Sequence, residues 1–169
     1  MATASESFSR FLFGSPVLAE RDVRSASRPA TALLGRLLIA PLFILSGVGK
    51  FAAFGSTVEY VRSAGIPFPK LALAIAAVVE ILGGLSILTG FLTRLGALTL
   101  LVYLIPTTLL FHHFWTFAGD DRTVQMVNFL KNLGIMGGLA LLIAYGPGRY
   151  AIDAALHRPS RTSRILHRA

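Results

Sequence analysis

Residues 72–92, ALAIAAVVEILGGLSILTGFL, decide the fold of this chain. A hydrocarbon core about 30 Å thick requires about 20 residues of apolar helix, and this segment is long enough to cross it. Its single charged residue, Glu80, lies near the middle. A carboxylate at that depth costs about 2.5 kcal/mol or more even on lenient insertion scales. We therefore expect Glu80 to face other helices, to be protonated or to hold a cationic partner.

The composition of the whole chain is that of an integral membrane protein. Of its 169 residues 54% are hydrophobic and 14% are charged, whereas soluble proteins carry about 25% charged residues. The chain has no cysteine, which excludes disulfides, thiol redox chemistry by this chain and cysteine metal sites. The net charge of +8 comes mainly from the two tails, where membrane topology favours basic residues, so we expect no nucleic-acid partner.

Three further apolar segments join residues 72–92, and together they predict an all-α polytopic membrane protein with four transmembrane helices in a bundle. The predicted domain covers residues 31–147, with spans at about residues 32–54, 71–92, 95–117 and 127–145. A flexible basic tail at residues 1–30 precedes it, and a basic tail at residues 148–169 follows it. Because the arginines concentrate in both tails and in the turn at Arg94, we expect both tails to be cytoplasmic.

The polar side chains of the spans concentrate in the half of the bundle that lies away from the tails. With an even number of spans, that half is the outer one. The residues placed in it by their position along each span are Ser46, Lys50, His112, Asn128, Lys131 and Asn132, with Glu80 near the midplane. This one-sided distribution predicts a polar pocket that opens outward and argues against a polar channel through the bilayer.

Small residues surround Glu80 at helical spacing, among them Gly83 and Gly84, and small residues allow neighbouring helices to approach closely. The simplest packing brings Lys50 and Lys131 to Glu80 from opposite sides, which would keep the carboxylate ionised. Two alternatives stay open. The cluster can be an ion pair that only fixes helix register, or the lysines can extend to the headgroups without meeting Glu80.

Two consecutive histidines follow the third span. His112 and His113 would point about 100° apart on a helix, so at most one of them would face the pocket, and which one stays open. Glu80 with one histidine provides too few ligands for a metal ion, so no metal site is predicted. The candidate catalytic residues are Glu80, Lys50 and Lys131, and the candidate ligand-binding residues are Ser46, His112, Asn128 and Asn132.

Several motifs taken together resemble one family. RLLIAPLFILSGVGKF, an IPFP loop, AAVVEILGGLSILTGFLTRLGAL and FLKNLGIMGGLALL, in this order, are similar to the DoxX family of small four-helix membrane proteins. The resemblance covers residues 34–144. The motif positions are Arg36, Ser46, Gly47, Lys50, Pro67, Glu80, Gly83, Gly84, Arg94, Lys131, Asn132, Gly137 and Gly138. It implies a bacterial inner-membrane protein of the DoxX and DoxD group. Some relatives are linked to thiosulfate:quinone oxidoreductase activity and others to membrane complexes that handle oxidative or thiol stress.

The leading functional hypothesis is a redox-associated subunit whose pocket, with Glu80, Lys50 and Lys131, takes a quinone-type or small anionic ligand. A partner protein in a membrane redox complex would supply any sulfur chemistry, since the chain lacks cysteine. One alternative is a structural or scaffolding protein whose Glu/Lys cluster only fixes helix packing. Another is a small proton-coupled carrier, which would have to dimerise. Whether the chain is an enzyme, whether it forms a homo-oligomer and which cofactor it uses, a quinone included, stay open.

Overall fold

A computed structural model describes residues 17–156, with side chains described for residues 29–156. Residues 1–16 and 157–169, which belong to the predicted tails, lie outside the described residues. Within the described range the chain is all-helical. The elements are α1 (Val17–Ala52), α2 (Phe54–Ser63), α3 (Pro69–Thr89), α4 (Thr93–Phe111), a 3₁₀ turn (Phe114–Thr116), α5 (Gly119–Tyr145) and α6 (Ile152–Leu156).

Four segments of this fold are long and apolar enough to cross a membrane, namely Pro29–Ala52, Pro69–Thr89, Thr93–Thr116 and Gly119–Tyr145. The predicted all-α fold with four transmembrane helices is confirmed. α5 begins at Gly119, well before residue 127, where the sequence predicted the start of the fourth span. Asp120 and Asp121 lie in its first turn, where the partial positive charge of a helix N-terminus stabilises acidic residues. The first turns of α5 are polar, so the hydrophobicity of the sequence placed the start of the span too late.

The four spans pack in chain order and leave one side of the bundle open. α1 packs mainly on α3, α3 on α4 and α4 on α5, whereas α1 makes few contacts with α5. α2 covers one end of the bundle, where Val58 and Val61 pack against Leu73 of α3. The main core lies between the spans and consists of Ala40, Phe43, Ile87, Ala97, Leu100, Leu104, Leu139 and Leu142.

Glycines allow α1 and α3 to approach closely. A Cβ added at Gly47 would lie 2.8 Å from the carbonyl oxygen of Ala77, and one at Gly84 would lie 3.1 Å from that of Ala40. Both distances are too short for an ordinary side chain, so larger residues here would push the helices apart. Transmembrane helices use small residues at their contacts for this reason. This close contact brings the end of α1 that carries Lys50 next to Glu80 on α3.

At the opposite end of the bundle a buried arginine joins three parts of the chain. Arg36 of α1 is 1% exposed. Its guanidinium donates hydrogen bonds to the carbonyl oxygens of Ile87 (2.7 Å), Leu88 (2.7 Å), Pro147 (3.2 Å) and Tyr150 (2.8 Å). The last turn of α3 and the segment after α5 are therefore held against α1.

The short helix α6 completes this end of the bundle. The carboxylate of Asp153 accepts hydrogen bonds from the backbone N–H groups of Leu92 (2.9 Å) and Thr93 (3.1 Å), where α4 begins. These N–H groups have no partner within α4, so a distant aspartate provides the N-terminal cap. The two ends of the described chain lie at this end of the molecule, away from α2. We call it the tail end, and its location in the cytoplasm stays a prediction.

Candidate functional site

The glutamate in the second span is buried and directly paired with a lysine. Its side chain is 6% exposed. The Nζ atom of Lys50 lies 2.7 Å from Oε2 and 2.9 Å from Oε1 of Glu80, and it also donates to Oγ of Ser46 at 2.7 Å. These distances are typical of charge-assisted hydrogen bonds. Of the predicted site residues, the structure brings Ser46, Lys50 and Glu80 together.

Tyr103 of α4, which the sequence analysis did not select, also belongs to this cluster. Its hydroxyl donates a hydrogen bond to Oε1 of Glu80 at 2.9 Å. The signal that could have identified it is its depth. Tyr103 lies near the middle of the third span and Glu80 near the middle of the second, and a three-residue turn joins the two spans. Adjacent antiparallel helices with so short a connection place their middles at the same level.

Lys131 lies away from the cluster, and the expectation that it approaches Glu80 is wrong. Its Nζ atom donates to Oδ1 of Asn128 on the same helix at 2.9 Å, and the residue is exposed on the outside of the bundle. The reason is the packing order of the spans. α5 packs on α4 and makes few contacts with α1, so the face with Lys131 does not point towards Glu80.

Asn132 is the polar residue of α5 that points into the bundle. It is 6% exposed, and its Nδ2 atom donates to Oγ1 of Thr108 on α4 at 3.0 Å. Thr108, which is 1% exposed, donates in turn to the carbonyl oxygen of Leu104 at 2.7 Å. Asn132 therefore joins α5 to α4, and Asn128 is hydrogen-bonded to Lys131. Neither asparagine lines the cavity that adjoins Glu80.

A cavity of about 390 Å³, which we call the α2 cavity, lies beside this cluster at the α2 end of the bundle. Lys50 and Tyr103 form part of its wall, whereas Glu80 lies behind them and binds both. Most of the remaining lining is apolar. Its other polar side chains are Thr57, Tyr60, Thr107 and His112. The sequence predicts a polar pocket, whereas the structure has an apolar cavity with a few polar groups.

The two histidines differ in their surroundings. α4 ends at Phe111, so the assumption that both lie on a helix is wrong. His112 lines the α2 cavity, and its Nδ1 atom lies 2.8 Å from Oε1 of Gln125. The ring of His113 lies against Trp115 and Phe117, with centroid distances of 6.2 and 5.3 Å. His112 is therefore the histidine that can reach a ligand in the cavity.

Two stacked aromatic rings form part of the cavity wall. The rings of Tyr60 on α2 and Phe111 on α4 are stacked, with centroids 5.2 Å apart. The lining contains one cationic side chain, Lys50, and its charge is balanced by Glu80 directly behind it. Among residues 29–156, no group of three or more His, Cys, Asp or Glu side chains is placed to hold a metal ion. The wall of the cavity is therefore mainly apolar, and the one cationic side chain in it is compensated.

Comparison with known proteins identifies relatives of this chain. The DoxX family model matches residues 31–113, which include Lys50, Glu80 and Tyr103. The inner membrane protein YphA of Escherichia coli K12 is 38% identical over 128 residues, which are 76% of this chain and 91% of that protein. The inner membrane protein YqjF of the same strain is 41% identical over 126 residues, 75% of this chain and 92% of that protein. No solved structure matches the chain.

Proposed function

The chain belongs to the DoxX family of membrane proteins, and on this basis we propose that its α2 cavity binds a neutral ligand of the quinone type. The protein would act as a subunit of a redox complex in the inner membrane, with both tails in the cytoplasm. The observation that carries the proposal is the position of Lys50 and Tyr103. Both line an apolar cavity while both are hydrogen-bonded to the same buried carboxylate.

The charge balance of the cluster favours a neutral ligand over a small anion. Lys50 is already bound to both oxygens of Glu80. An anion that took this ammonium group as its own partner would leave the buried carboxylate of Glu80 without compensation, and an uncompensated charge in a low-dielectric site is costly. A neutral carbonyl oxygen needs only one hydrogen bond, and Lys50 can supply it in place of the bond that it gives to Ser46, so that the ion pair with Glu80 stays intact.

The size and lining of the α2 cavity fit a quinone ring. Its volume of about 390 Å³ lies within the range of about 300–1,000 Å³ that is typical of small-molecule sites. The rings of Tyr60 and Phe111 provide apolar surface on one side of the cavity. Lys50 and His112 provide the few polar contacts that would orient the carbonyl oxygens of a bound quinone.

When it is bound, a quinone supplies two-electron, two-proton redox chemistry. This chain has no cysteine, so in the proposal it binds the ligand and positions protons, and a partner protein supplies the electrons. Tyr103 connects Glu80 to the cavity through its hydroxyl. A proton can therefore pass between the carboxylate and the cavity through Tyr103, while Lys50 holds the carboxylate in place.

A direct test is the binding of short-chain ubiquinone and menaquinone analogues to the purified protein in lipid nanodiscs, measured by equilibrium dialysis. Tyr103→Phe keeps the ring and removes the hydroxyl that lines the cavity. Glu80 then loses the hydrogen bond from Tyr103 and holds Lys50 more strongly. At about 1 kcal/mol for that bond, we expect an approximately fivefold higher Kd for the quinone. Tyr145→Phe is the matched control, because Tyr145 is exposed at the tail end. Equal Kd values for wild type and Tyr103→Phe would contradict the proposal, as would the absence of quinone binding by the wild type.

The completeness of the hydrogen bonding favours a second candidate, a purely structural cluster. Both oxygens of Glu80 are bound, and within residues 29–156 no buried side-chain nitrogen or oxygen lacks a partner. The Cβ atom of Glu80 also lies against Gly47, 3.2 Å from the position of an added Cβ. In that case the cluster fixes the register of α1 on α3. Glu80→Gln would then lower the melting temperature while a bound quinone analogue kept its Kd.

A further inference from the structure

We propose that the open side of the bundle binds an anionic phospholipid from the surrounding bilayer. The site is a groove between α1 and α5 at the tail end, which we call the lateral groove. Its volume is about 910 Å³. It shares no residue with the α2 cavity, and the inference is independent of the proposed quinone site.

The lateral groove lies where few contacts join α1 and α5. The two helices meet where Ile39 lies against Gly138, with the Cδ1 atom 2.9 Å from the position of an added Cβ. Nearer the tail end, an added Cβ at Gly35, which lines the groove, would have no atom within 4 Å. The segment after α5 closes the groove again at Gly148, where an added Cβ would lie 2.7 Å from Cβ of Ala32.

The position of the lateral groove indicates that its occupant comes from the lipid phase. Both of its long walls are formed by membrane-spanning segments, Pro29–Ala52 and Gly119–Tyr145. Leu141 and Leu142 give it an apolar lining. At its tail end Tyr145 is 82% exposed, as is typical of tyrosines in the belt between hydrocarbon and headgroups. An acyl chain suits the apolar part, and the residues that follow Tyr145 lie at headgroup depth.

Two arginines lie where a headgroup would be. Arg149 lines the lateral groove and is exposed. The Nε and Nη2 atoms of Arg94 are each 3.6 Å from the position of an added Cβ at Gly146, another residue of the lining. Within residues 29–156, neither guanidinium forms an ion pair. Guanidinium groups bind phosphate with two parallel hydrogen bonds, and basic pockets between transmembrane helices are known as sites for anionic headgroups.

The charge of the lining selects the class of lipid. Among the side chains of residues 29–156, no acidic group lines the lateral groove, so the ammonium group of a zwitterionic headgroup would find no partner among them and would lie close to two arginines. An anionic headgroup such as phosphatidylglycerol or cardiolipin brings phosphate without a cation. The structure therefore favours an anionic phospholipid over phosphatidylcholine.

The test is native mass spectrometry of the full chain released from nanodiscs that contain phosphatidylglycerol and phosphatidylcholine in equal amounts. We expect the wild type to retain phosphatidylglycerol at least tenfold more than phosphatidylcholine. The double variant Arg94→Gln with Arg149→Gln should lose this preference. Arg122→Gln is the matched control, because Arg122 is an exposed arginine in the first turns of α5, at the opposite end of the bundle.

A second variant tests the groove itself without changing its charge. Gly35→Leu places a side chain in the open part of the lateral groove and should reduce retention of phosphatidylglycerol at least fivefold. Gly134→Leu is its control, because an added Cβ at Gly134 also meets no atom within 4 Å but lies outside the groove. Equal retention of the two lipids by the wild type would overturn the proposal. So would unchanged retention in Gly35→Leu, which remains decisive if the arginine double variant does not fold.

Discussion

Two cationic side chains of α1, Arg36 and Lys50, lie at opposite ends of the bundle, and different groups compensate their charges. At the tail end, the guanidinium of Arg36 donates to four backbone carbonyl oxygens. At the α2 end, the ammonium group of Lys50 pairs with the carboxylate of Glu80. A peptide carbonyl oxygen does not take up a proton, whereas a carboxylate can bind a proton and release it again. Arg36 can therefore only hold segments together, but Lys50 and Glu80 can also take part in chemistry.

The two cationic side chains also differ in their exposure. Arg36 is 1% exposed, whereas the side chain of Lys50 is 22% exposed and borders the α2 cavity. A buried charge in a membrane helix is thus not a sign of function by itself. The chemistry of its partners and the space beside it decide which role is open to it.

The largest effect is expected for the loss of Arg36. Arg36→Leu leaves the four carbonyl oxygens of Ile87, Leu88, Pro147 and Tyr150 without their donor, and we expect the free energy of unfolding to fall by about 4 kcal/mol. The measurement is chemical unfolding in mild detergent. Arg62→Ala is the control, because the exposed pair of Arg62 with Glu59 should contribute less than about 1 kcal/mol. If Arg36→Leu and Arg62→Ala lowered the free energy of unfolding by similar amounts, the hydrogen bonds of Arg36 would stabilise the fold no more than an exposed ion pair.

A smaller but still large effect is expected at the α2 end. Glu80→Gln leaves the charge of Lys50 without its carboxylate, and we expect a loss of about 3 kcal/mol in the free energy of unfolding. The double variant with Lys50→Met removes both charges and should recover most of that loss. Lys131→Met is the matched control, since Lys131 is exposed and bound only to Asn128. If Lys131→Met destabilised the protein as much as Glu80→Gln, Lys131 would also take part in compensating the charge of Glu80.

The smallest effect is expected for the cap that α6 places on α4. Asp153→Ala removes the acceptor of the N–H groups of Leu92 and Thr93, and the loss of an N-terminal cap costs about 1 kcal/mol. The melting temperature in detergent measures this change. Quinone binding should be unaffected, because the cap lies at the other end of the bundle. A changed Kd for the quinone analogue would show that the two ends are coupled.

The sequence predicted the fold because a bilayer imposes one strict requirement. Each span needs about 20 apolar residues, and their backbone groups can only be satisfied within a helix. Glu80 and Lys50 were selected for a related reason, since charges within spans are rare and need compensation. Tyr103 was missed because tyrosine carries no charge, and a tyrosine within a span does not by itself require a partner.

The errors at Lys131 and at the histidines have a common cause. The depth of Lys131 and the spacing of residues on one helix do not determine what its side chain contacts, because this also depends on which neighbouring helix that face meets. Because α5 packs on α4, Asn132 points inward and Lys131 points outward. For the histidines, the end of α4 at Phe111 removed the helical geometry on which the prediction was based.

The amino-acid sequence by itself determined the number of spans and the burial of a glutamate in the second span. These follow from the cost of placing charges and unsatisfied backbone groups in hydrocarbon. Only the tertiary structure decided that Lys50 and Tyr103, rather than Lys131, bind Glu80. It also decided that Arg36 reaches the chain after α5. The reason is that hydrophobicity fixes the depth of a residue but not the rotation of its helix, and rotation depends on the packing of small residues such as Gly47 and Gly84.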